Sequence, residues 1–235
     1  YAGESEVPRP GHDAGGFGSS SAPEYIIFDS FTSGTVYDSD KKQLGSLQIN
    51  FQSGSTIEFW MKKNGFPNPE TQTEKEAIFY IQNNDATQRF YIHTSGSAHT
   101  TESGSLFLKY YTADKSFNNA ATVSEKLKMQ FEVVDPTSSI ADEAWHHYAF
   151  VLTGSSDGKI NVEFYVDGKF KESQLGSSAG DALDANLQIT GTAIASIGAL
   201  ASGSYIGASF GKAGYGMLSG NLDEFRFWQM ARTSE

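Results

Sequence analysis

The chain has 235 residues and no cysteine, and its 28 acidic against 17 basic side chains give a formal net charge of −11 at pH 7. This length fits one large β domain, and the missing cysteines exclude disulfides, thiolate metal sites and cysteine catalysis. The acidity argues against nucleic acid, whose phosphates need a basic surface, and against an anionic membrane surface. No apolar run approaches the roughly 20 residues of a membrane-spanning helix, so we expect no membrane insertion. Neutral or cationic partners and divalent metal ions remain compatible with this charge.

Two parts of different composition make up the chain. Residues 1–22 are rich in Gly, Ser and Pro and predict an N-terminal arm or linker. Residues 23–235 predict a single β-sandwich domain. Near the end, Thr233 resembles a helix N-cap with an acidic residue in the first turn. We therefore expect a C-terminal helix that is cut off at its start, and we interpret the chain as a processed product or a piece of a longer protein.

Short alternating stretches separated by turn residues follow the arm, which is typical of a sandwich or barrel. Trp145–Thr153 is apolar at almost every position and predicts a central strand that is covered on both faces. Lys159–Asp167 alternates strictly and predicts a strand with one face in the core. Asp167–Gly168 predicts a tight turn that needs positive φ. Residues 171–203 are weakly patterned and predict a long excursion with one strand near Leu187–Thr190.

The last strand has an irregular pattern. On a regular strand Phe225 and Phe227 would face the same side of the sheet, whereas Leu222 would face the opposite side. If all three are buried, the strand must slip by one residue at Asp223 and Glu224, as in a β-bulge. The alternative is that Leu222 covers the opposite face of a regular strand.

Four blocks between residues 55 and 235 carry recognisable motifs. They are Ser-Thr-Ile-Glu-Phe-Trp-Met-Lys at 55–62, the pair Ala-Trp-His-His-Tyr-Ala at 144–149 and Phe-Tyr-Val-Asp-Gly-Lys at 164–169, Tyr-Ile-Gly at 205–207, and Gly-Asn-Leu-Asp-Glu-Phe-Arg-Phe-Trp at 220–228 with Ala-Arg-Thr-Ser-Glu at 231–235. In this order they resemble the strand motifs of laminin-G-like domains in the concanavalin A-like lectin/glucanase superfamily.

The resemblance implies an all-β jelly-roll sandwich of two antiparallel sheets, with roughly six or seven strands each, followed by a short helix. It does not imply one function, because members bind sugars, bind proteins, serve as spacers or hydrolyse glycans. The closing block also resembles laminin-G-like segments of tailed-phage virion proteins. The resemblance therefore points to a virion or a cell surface as the location.

Glycan hydrolysis is the catalytic alternative within this superfamily. Its glucanases resemble one another in an E-x-D-x-x-E strand, which places two carboxyl groups about 5 Å apart. That spacing is missing here. Asp223 and Glu224 are adjacent and point to opposite faces of a regular strand, while Glu163 and Asp167 are ~13 Å apart along an extended one. We therefore predict no catalytic residues and no enzyme.

The pair His146 and His147 suggests a metal or acid–base site at first sight. In the family this pair follows a buried Trp, here Trp145, inside a strand, so the two rings point to opposite sides of the sheet and cannot converge on one ion. No carboxylate cluster is apparent nearby in the sequence. We expect a structural role for both histidines.

A structural Ca²⁺ ion is the cofactor that the sequence favours. Calcium prefers carboxylates and backbone carbonyls in loops, and many laminin-G-like domains carry such an ion. The candidate ligands are Asp223 at the suspected bulge and Asp29, Asp38 and Asp40 near the first strands. The alternative is that these aspartates are solvated turn residues.

Sugar recognition needs aromatic faces with amide or carboxylate partners at a loop rim. Two groups qualify, one in a predicted loop and one in a Gly-rich stretch: Tyr111, Phe117, Asn118 and Asn119, and then Tyr205, Phe210 and Tyr215. Exposed aromatics can equally pack against neighbouring subunits.

The leading hypothesis is a non-catalytic structural or recognition module of a larger surface assembly, in a virion or on a bacterial surface. Its partners would be other protein subunits of that assembly. The alternative is a carbohydrate-binding module for glycan adhesion, and a glycan hydrolase ranks third.

Overall fold

The computed structural model describes part of the chain in detail. The described residues are 26–29, 49–66, 76–83, 87–95, 104–113, 123–132, 140–155, 159–176, 188–189, 193–199 and 217–232. The predicted arm, residues 1–22, and the predicted helix after Thr233 lie outside them. No helix among these residues is long and apolar enough to cross a membrane.

The described residues form thirteen strands and one 3-10 turn. The elements are, in order, β1 (Ile26–Asp29), β2 (Ile49–Asn50), a 3-10 turn (Phe51–Ser53), β3 (Ser55–Lys63), β4 (Glu76–Asn83), β5 (Gln88–Ser95), β6 (Ser105–Ala113), β7 (Val123–Glu132), β8 (Trp145–Gly154), β9 (Ile160–Val166), β10 (Lys169–Leu175), β11 (Gln188–Ile189), β12 (Ala193–Ile197) and β13 (Gly220–Trp228).

Two antiparallel sheets form the sandwich. One has six strands in the order β1-β12-β4-β5-β6-β7, and the other has five in the order β10-β9-β8-β3-β13. The short strands β2 and β11 pair separately. The predicted all-β sandwich of two antiparallel sheets is confirmed. Among the described residues one sheet has six strands, within the predicted six or seven, and the other has five, one fewer than predicted.

The core lies between the two sheets. Alternate residues of β3, β8 and β9 in the five-stranded sheet point into the core, and so do alternate residues of β5, β6 and β7 in the six-stranded sheet. Aromatic rings meet across the gap: Phe131 of β7 contacts Phe150 of β8 and Phe164 of β9, with centroids 5.4 and 5.3 Å apart. Burying such rings contributes roughly 1.5–3 kcal/mol each, so alternation along these strands fixes which face turns inward.

Several local predictions are confirmed. Trp145–Thr153 forms most of β8, the middle strand of its sheet, and Asp167 and Gly168 have φ of 51° and 72°. The bulge in β13 is present as well, because the pairing with β3 shifts between Asp223 and Arg226 and Glu224 has a φ of 47°. The bulge lets Leu222, Phe225 and Phe227 all pack against the core.

The stretch 171–203 is more regular than its composition predicts. Its first residues continue the hairpin with β9 as β10, and β12 pairs between β1 and β4. The predicted strand near Leu187–Thr190 appears as the two-residue β11. Small residues in β12 carry little periodic signal because Ala193 and Ala195 fill narrow positions in the core.

The residues after β13 pack along the start of β3. Thr56 joins the two segments, because its hydroxyl donates to the carbonyl of Met230 at 3.0 Å and accepts from the backbone N–H of Arg232 at 2.9 Å. Gly54 makes the approach possible. Its φ is 97°, and a Cβ at this position would lie 2.9 Å from the backbone nitrogen of Ala231.

One buried ion pair connects the two sheets. Lys63 at the end of β3 lies 2.8 Å from the carboxylate of Glu76 at the start of β4, and both side chains are almost fully buried. Ser219 adds to the cluster, since its carbonyl accepts from Lys63 and its N–H donates to Glu76. Burial outweighs the attraction of the partner charge, so the pKa of Lys63 is lowered and the pKa of Glu76 is raised.

Candidate functional site

All three tryptophans of the chain lie on the outer face of the five-stranded sheet. Trp60, Trp145 and Trp228 are 37%, 39% and 38% exposed. The outward direction follows from β3, where Ile57, Phe59 and Met61 are buried in the core and the alternate positions face away from it. The expectation that Trp145 is buried is therefore wrong. Its side chain shares a face with Trp60 because its strand partner is Lys62.

Six outward-facing residues of β3, β8 and β13 lie next to one another, and we call this group the tryptophan corner. The strand pairing arranges them in two neighbouring rows across the sheet. In the first row, Trp60 of β3 pairs with Asp223 of β13 and with His147 of β8. In the second row, Lys62 of β3 pairs with Asn221 of β13 and with Trp145 of β8. The rings of Trp60 and His147 have centroids 5.4 Å apart. The corner therefore combines two half-exposed indoles with carboxylate, amide, ammonium and imidazole groups.

The polar groups of the corner are mostly uncommitted. Asp223 Oδ1 accepts one bond, from the backbone N–H of Glu224 at 2.8 Å. Asn221 Oδ1 is buried and accepts no hydrogen bond from any described residue. Within the described part of the chain, the indole N–H groups of Trp60 and Trp145 likewise have no acceptor. Buried polar atoms are normally paired, so the Asn221 carbonyl needs a donor that the described residues do not supply.

The polar groups further along the same face are bonded to one another. Glu58 Oε1 accepts from Trp228 Nε1 at 3.2 Å, from Arg232 at 3.0 Å and from Arg226 at 3.5 Å. The guanidinium of Arg232 also lies 4.8 Å from the centroid of the Trp228 ring, in a cation–π contact. This second group fixes the residues after β13 to the sheet and has a structural role.

A carboxylate–imidazole–carboxylate cluster lies at the start of β8, next to the tryptophan corner. Nδ1 of His146 is 2.8 Å from Asp167 Oδ2, and Nε2 is 2.9 Å from Asp142 Oδ2. The other oxygens of the two aspartates accept backbone N–H groups, from His147 and Ala144 respectively. The expectation that no carboxylate cluster lies near the histidines is wrong, because a loop and a hairpin turn bring the two aspartates to His146.

This cluster shifts the pKa of each member. Burial alone would lower the pKa of His146, but hydrogen bonds to Asp167 and Asp142 outweigh it and raise that pKa. Burial alone would raise the pKa of Asp142 and Asp167, but backbone and His146 hydrogen bonds lower both. All three groups are therefore held in their charged forms. The cluster thus connects the start of β8 to the turn with Asp167 and the loop with Asp142, which is a structural role.

One of the predicted sugar-binding residues, Tyr111, is described, and it lies in strand β6 rather than in a loop. Its ring stacks on that of Tyr91 with centroids 5.8 Å apart, and its hydroxyl accepts a bond from Lys109 at 3.3 Å. The other six predicted residues lie outside the described part of the chain: Phe117, Asn118, Asn119, Tyr205, Phe210 and Tyr215.

The predicted calcium ligands are not brought together by the described residues. Asp223 lies exposed in β13 of the five-stranded sheet, Asp29 ends β1 of the six-stranded sheet, and Asp38 and Asp40 are outside the described ranges. Among described residues, no group of three or more His, Cys, Asp or Glu could hold a metal ion. Calcium stays a prediction, and a thermal melt with and without EDTA tests it, because a bound ion raises Tm.

Sequence reasoning did not single out Trp60, Trp145 or His147 as residues of one outward face. The available signal was register: Trp60 has the parity opposite to Ile57 and Phe59 in the same strand, so it must leave the core if they enter it. Trp145 gave no such signal because β8 is apolar at almost every position.

Comparisons with known proteins agree with this architecture. Residues 33–235 match the Laminin_G_3 family model, which is described as the concanavalin A-like lectin/glucanases superfamily. A search of curated protein sequences gives no significant match.

Solved structures with a similar fold include mouse laminin alpha1 chain domains LG4-5, at 11% identity and a TM-score of 0.43, covering 78% of this chain and 39% of that one. A SAP-like pentraxin from Limulus polyphemus is 17% identical with a TM-score of 0.41, covering 80% and 67%. A prokaryotic lichenase from a mouse hindgut metagenome is 12% identical with a TM-score of 0.38, covering 91% and 95%. These likenesses concern the fold alone, and the chain spans well under half of the laminin chain.

Proposed function

This chain belongs to the concanavalin A-like lectin/glucanases superfamily, and we propose that it is a non-catalytic recognition module of a larger extracellular, cell-surface or virion assembly. It binds its partner through the outer face of the five-stranded sheet. One observation carries the proposal: all three tryptophans project from that single face, each more than a third exposed.

Exposed tryptophan clusters favour a binding role. A Trp side chain is usually well buried, and indoles that remain exposed are enriched where proteins bind partners. An apolar surface of this kind on a soluble domain marks an interaction site.

The carboxylates of this face favour binding over catalysis. Glycoside hydrolysis needs two carboxyl groups that face each other across the scissile bond. Glu58 Oε1 accepts hydrogen bonds from Trp228 and Arg232, and Glu163 accepts a hydrogen bond from Tyr165 at 2.7 Å. Each of these two acids is thus engaged with neighbours on its own sheet, which supports a lectin-like rather than a glucanase-like role.

A hydrolysis assay tests the non-catalytic part of this proposal. The purified chain is incubated with β-1,3-glucan, mixed-linkage β-glucan and xylan, and reducing ends are measured over a day. We expect no release above a buffer control. Reducing sugar that appears with wild-type protein and disappears in Glu58→Gln or Asp223→Asn would overturn the proposal.

A further inference from the structure

We infer that the tryptophan corner is a saccharide-binding subsite, in which Trp60 and Trp145 stack on the apolar faces of a neutral sugar and the polar groups beside them bind its hydroxyls. This inference rests on the proposed recognition function and names the partner of the same face.

The two indoles form a platform that the sheet holds in place. Trp60 and Trp145 lie diagonally on adjacent strands, at a spacing of roughly 7–8 Å between Cα atoms. Trp60 is further fixed by its contact with the His147 ring. Strand residues with few free rotamers lose little entropy when a ligand binds, so a sugar ring can pack on this platform without ordering a loop.

The hydroxyl groups of a sugar need donors and acceptors close to the aromatic faces. Asp223 is the strand partner of Trp60, and Lys62 is the strand partner of both Trp145 and Asn221. The two indole N–H groups, which have no acceptor in the described part of the chain, supply further donors. The buried and unpaired Oδ1 of Asn221 is accounted for if a hydroxyl or a water that bridges to one donates to it.

Charge and size select the class of ligand. The corner holds one carboxylate and one ammonium group, so it is balanced locally, while the whole chain carries −11 and repels acidic polysaccharides. A protein interface needs about 20–30 residues a side. The corner has six, and the Glu58 group beside it is already bonded internally. A neutral saccharide of a few units fits this patch better than a protein partner.

The aromatic group around Tyr111 is a weaker candidate. Tyr91 and Tyr111 stack on each other nearly in parallel, at 11°, and Tyr91 also stacks on His93 with centroids 5.0 Å apart. Those ring faces contact one another, whereas Trp60 and Trp145 keep more than a third of their surface exposed.

A neutral-glycan array followed by titration calorimetry tests the inference. Wild-type chain is screened on immobilised gluco-, manno-, galacto- and xylo-oligosaccharides, with acidic glycans as comparison. The best ligand is then titrated into Trp60→Ala, Trp145→Ala and Asp223→Ala. Phe170→Ala is the matched control, because it removes an exposed ring from the same face outside the corner. Far-UV spectra and melting curves confirm that each variant folds.

We expect saturable binding of a neutral glycan, at least tenfold weaker in each corner variant and unchanged in Phe170→Ala. No binding by wild type, or binding that survives both tryptophan substitutions, would overturn the inference while leaving a non-catalytic module in place. Cleavage of the bound glycan would instead overturn the proposed function.

Discussion

Nδ1 of His146 lies 2.8 Å from Oδ2 of Asp167, although the two residues are 21 positions apart in the chain. The other oxygen of the same carboxylate accepts the backbone N–H of His147, so the β9–β10 turn is attached twice to the start of β8. Because both ring nitrogens of His146 face carboxylates, the doubly protonated imidazolium is the form that satisfies Asp142 and Asp167 together.

This geometry predicts a pH window of stability. The raised pKa of His146 gives stabilisation that is complete below its ordinary value of 6.5 and is lost as pH rises through the folded value. The lowered pKa of Asp142 and Asp167 gives stabilisation that is complete above their ordinary value of 3.8 and is lost as pH falls through the folded value. We expect the contribution of the cluster to be greatest between these two ordinary values.

His146→Gln tests this window by calorimetry across pH 4 to 9. We expect the variant to be less stable than wild type by about 1 kcal/mol near pH 5, since the groups are partly exposed, and the difference to shrink towards pH 9. Lys128→Gln is the control for a general effect of substitution, because Lys128 is exposed on β7 of the other sheet. A His146→Gln deficit that is constant with pH would contradict the account.

The buried pair of Lys63 and Glu76 predicts strong coupling between two substitutions. Lys63→Met alone leaves the Glu76 carboxylate buried without its cation, and we expect a loss of about 3–5 kcal/mol. Glu76→Leu alone should cost a similar amount. The double variant removes both charges, so its loss should be well below the sum of the two single losses. Urea unfolding measures all three, and additive losses would show that the charges do not interact.

Two glycines with positive φ form a matched pair. Gly54→Ala places a methyl group 2.9 Å from the Ala231 nitrogen at a φ of 97°, whereas Gly168→Ala at a φ of 72° meets no atom within 4 Å. The second change should cost about 1 kcal/mol from backbone strain alone. We expect the first to cost clearly more, because it also pushes the residues after β13 away from β3. Equal melting temperatures for the two variants would argue against that packing.

Glu224 at the bulge predicts a stabilising substitution. Its φ of 47° suits glycine, so Glu224→Gly should gain about 0.5–1 kcal/mol from relieved strain. The exposed ion pair with Arg226 that it removes contributes little. Glu224→Gln is the control, because it removes the charge of the same ion pair and keeps a side chain at this φ. A Glu224→Gly variant that melts below Glu224→Gln would show that the strain is not relieved.

The sequence predicted the sandwich because period-two alternation in β3, β7 and β9 directly reports which residues enter the core. It offered the bulge as one of two interpretations, since Leu222 and Phe225 have opposite parity, and the packing of both against the core, together with Phe227, decides for the bulge. It did not predict the cluster around His146, because Asp142 and Asp167 reach the ring through a loop and a turn whose paths depend on the tertiary fold. Nor did it identify the exposed Trp145, since β8 is apolar on both faces and gives no sign of which positions remain exposed.

The most direct test of the binding face uses the three indole N–H signals in a ¹H–¹⁵N spectrum, one for each tryptophan. Substitutions to Phe assign them, and the best neutral oligosaccharide from the array is then added stepwise. We predict that the signals of Trp60 and Trp145 shift in a saturable way, while that of Trp228, whose N–H donates to Glu58, stays in place. Unchanged Trp60 and Trp145 signals with a ligand shown to bind would place the binding site elsewhere and contradict the account.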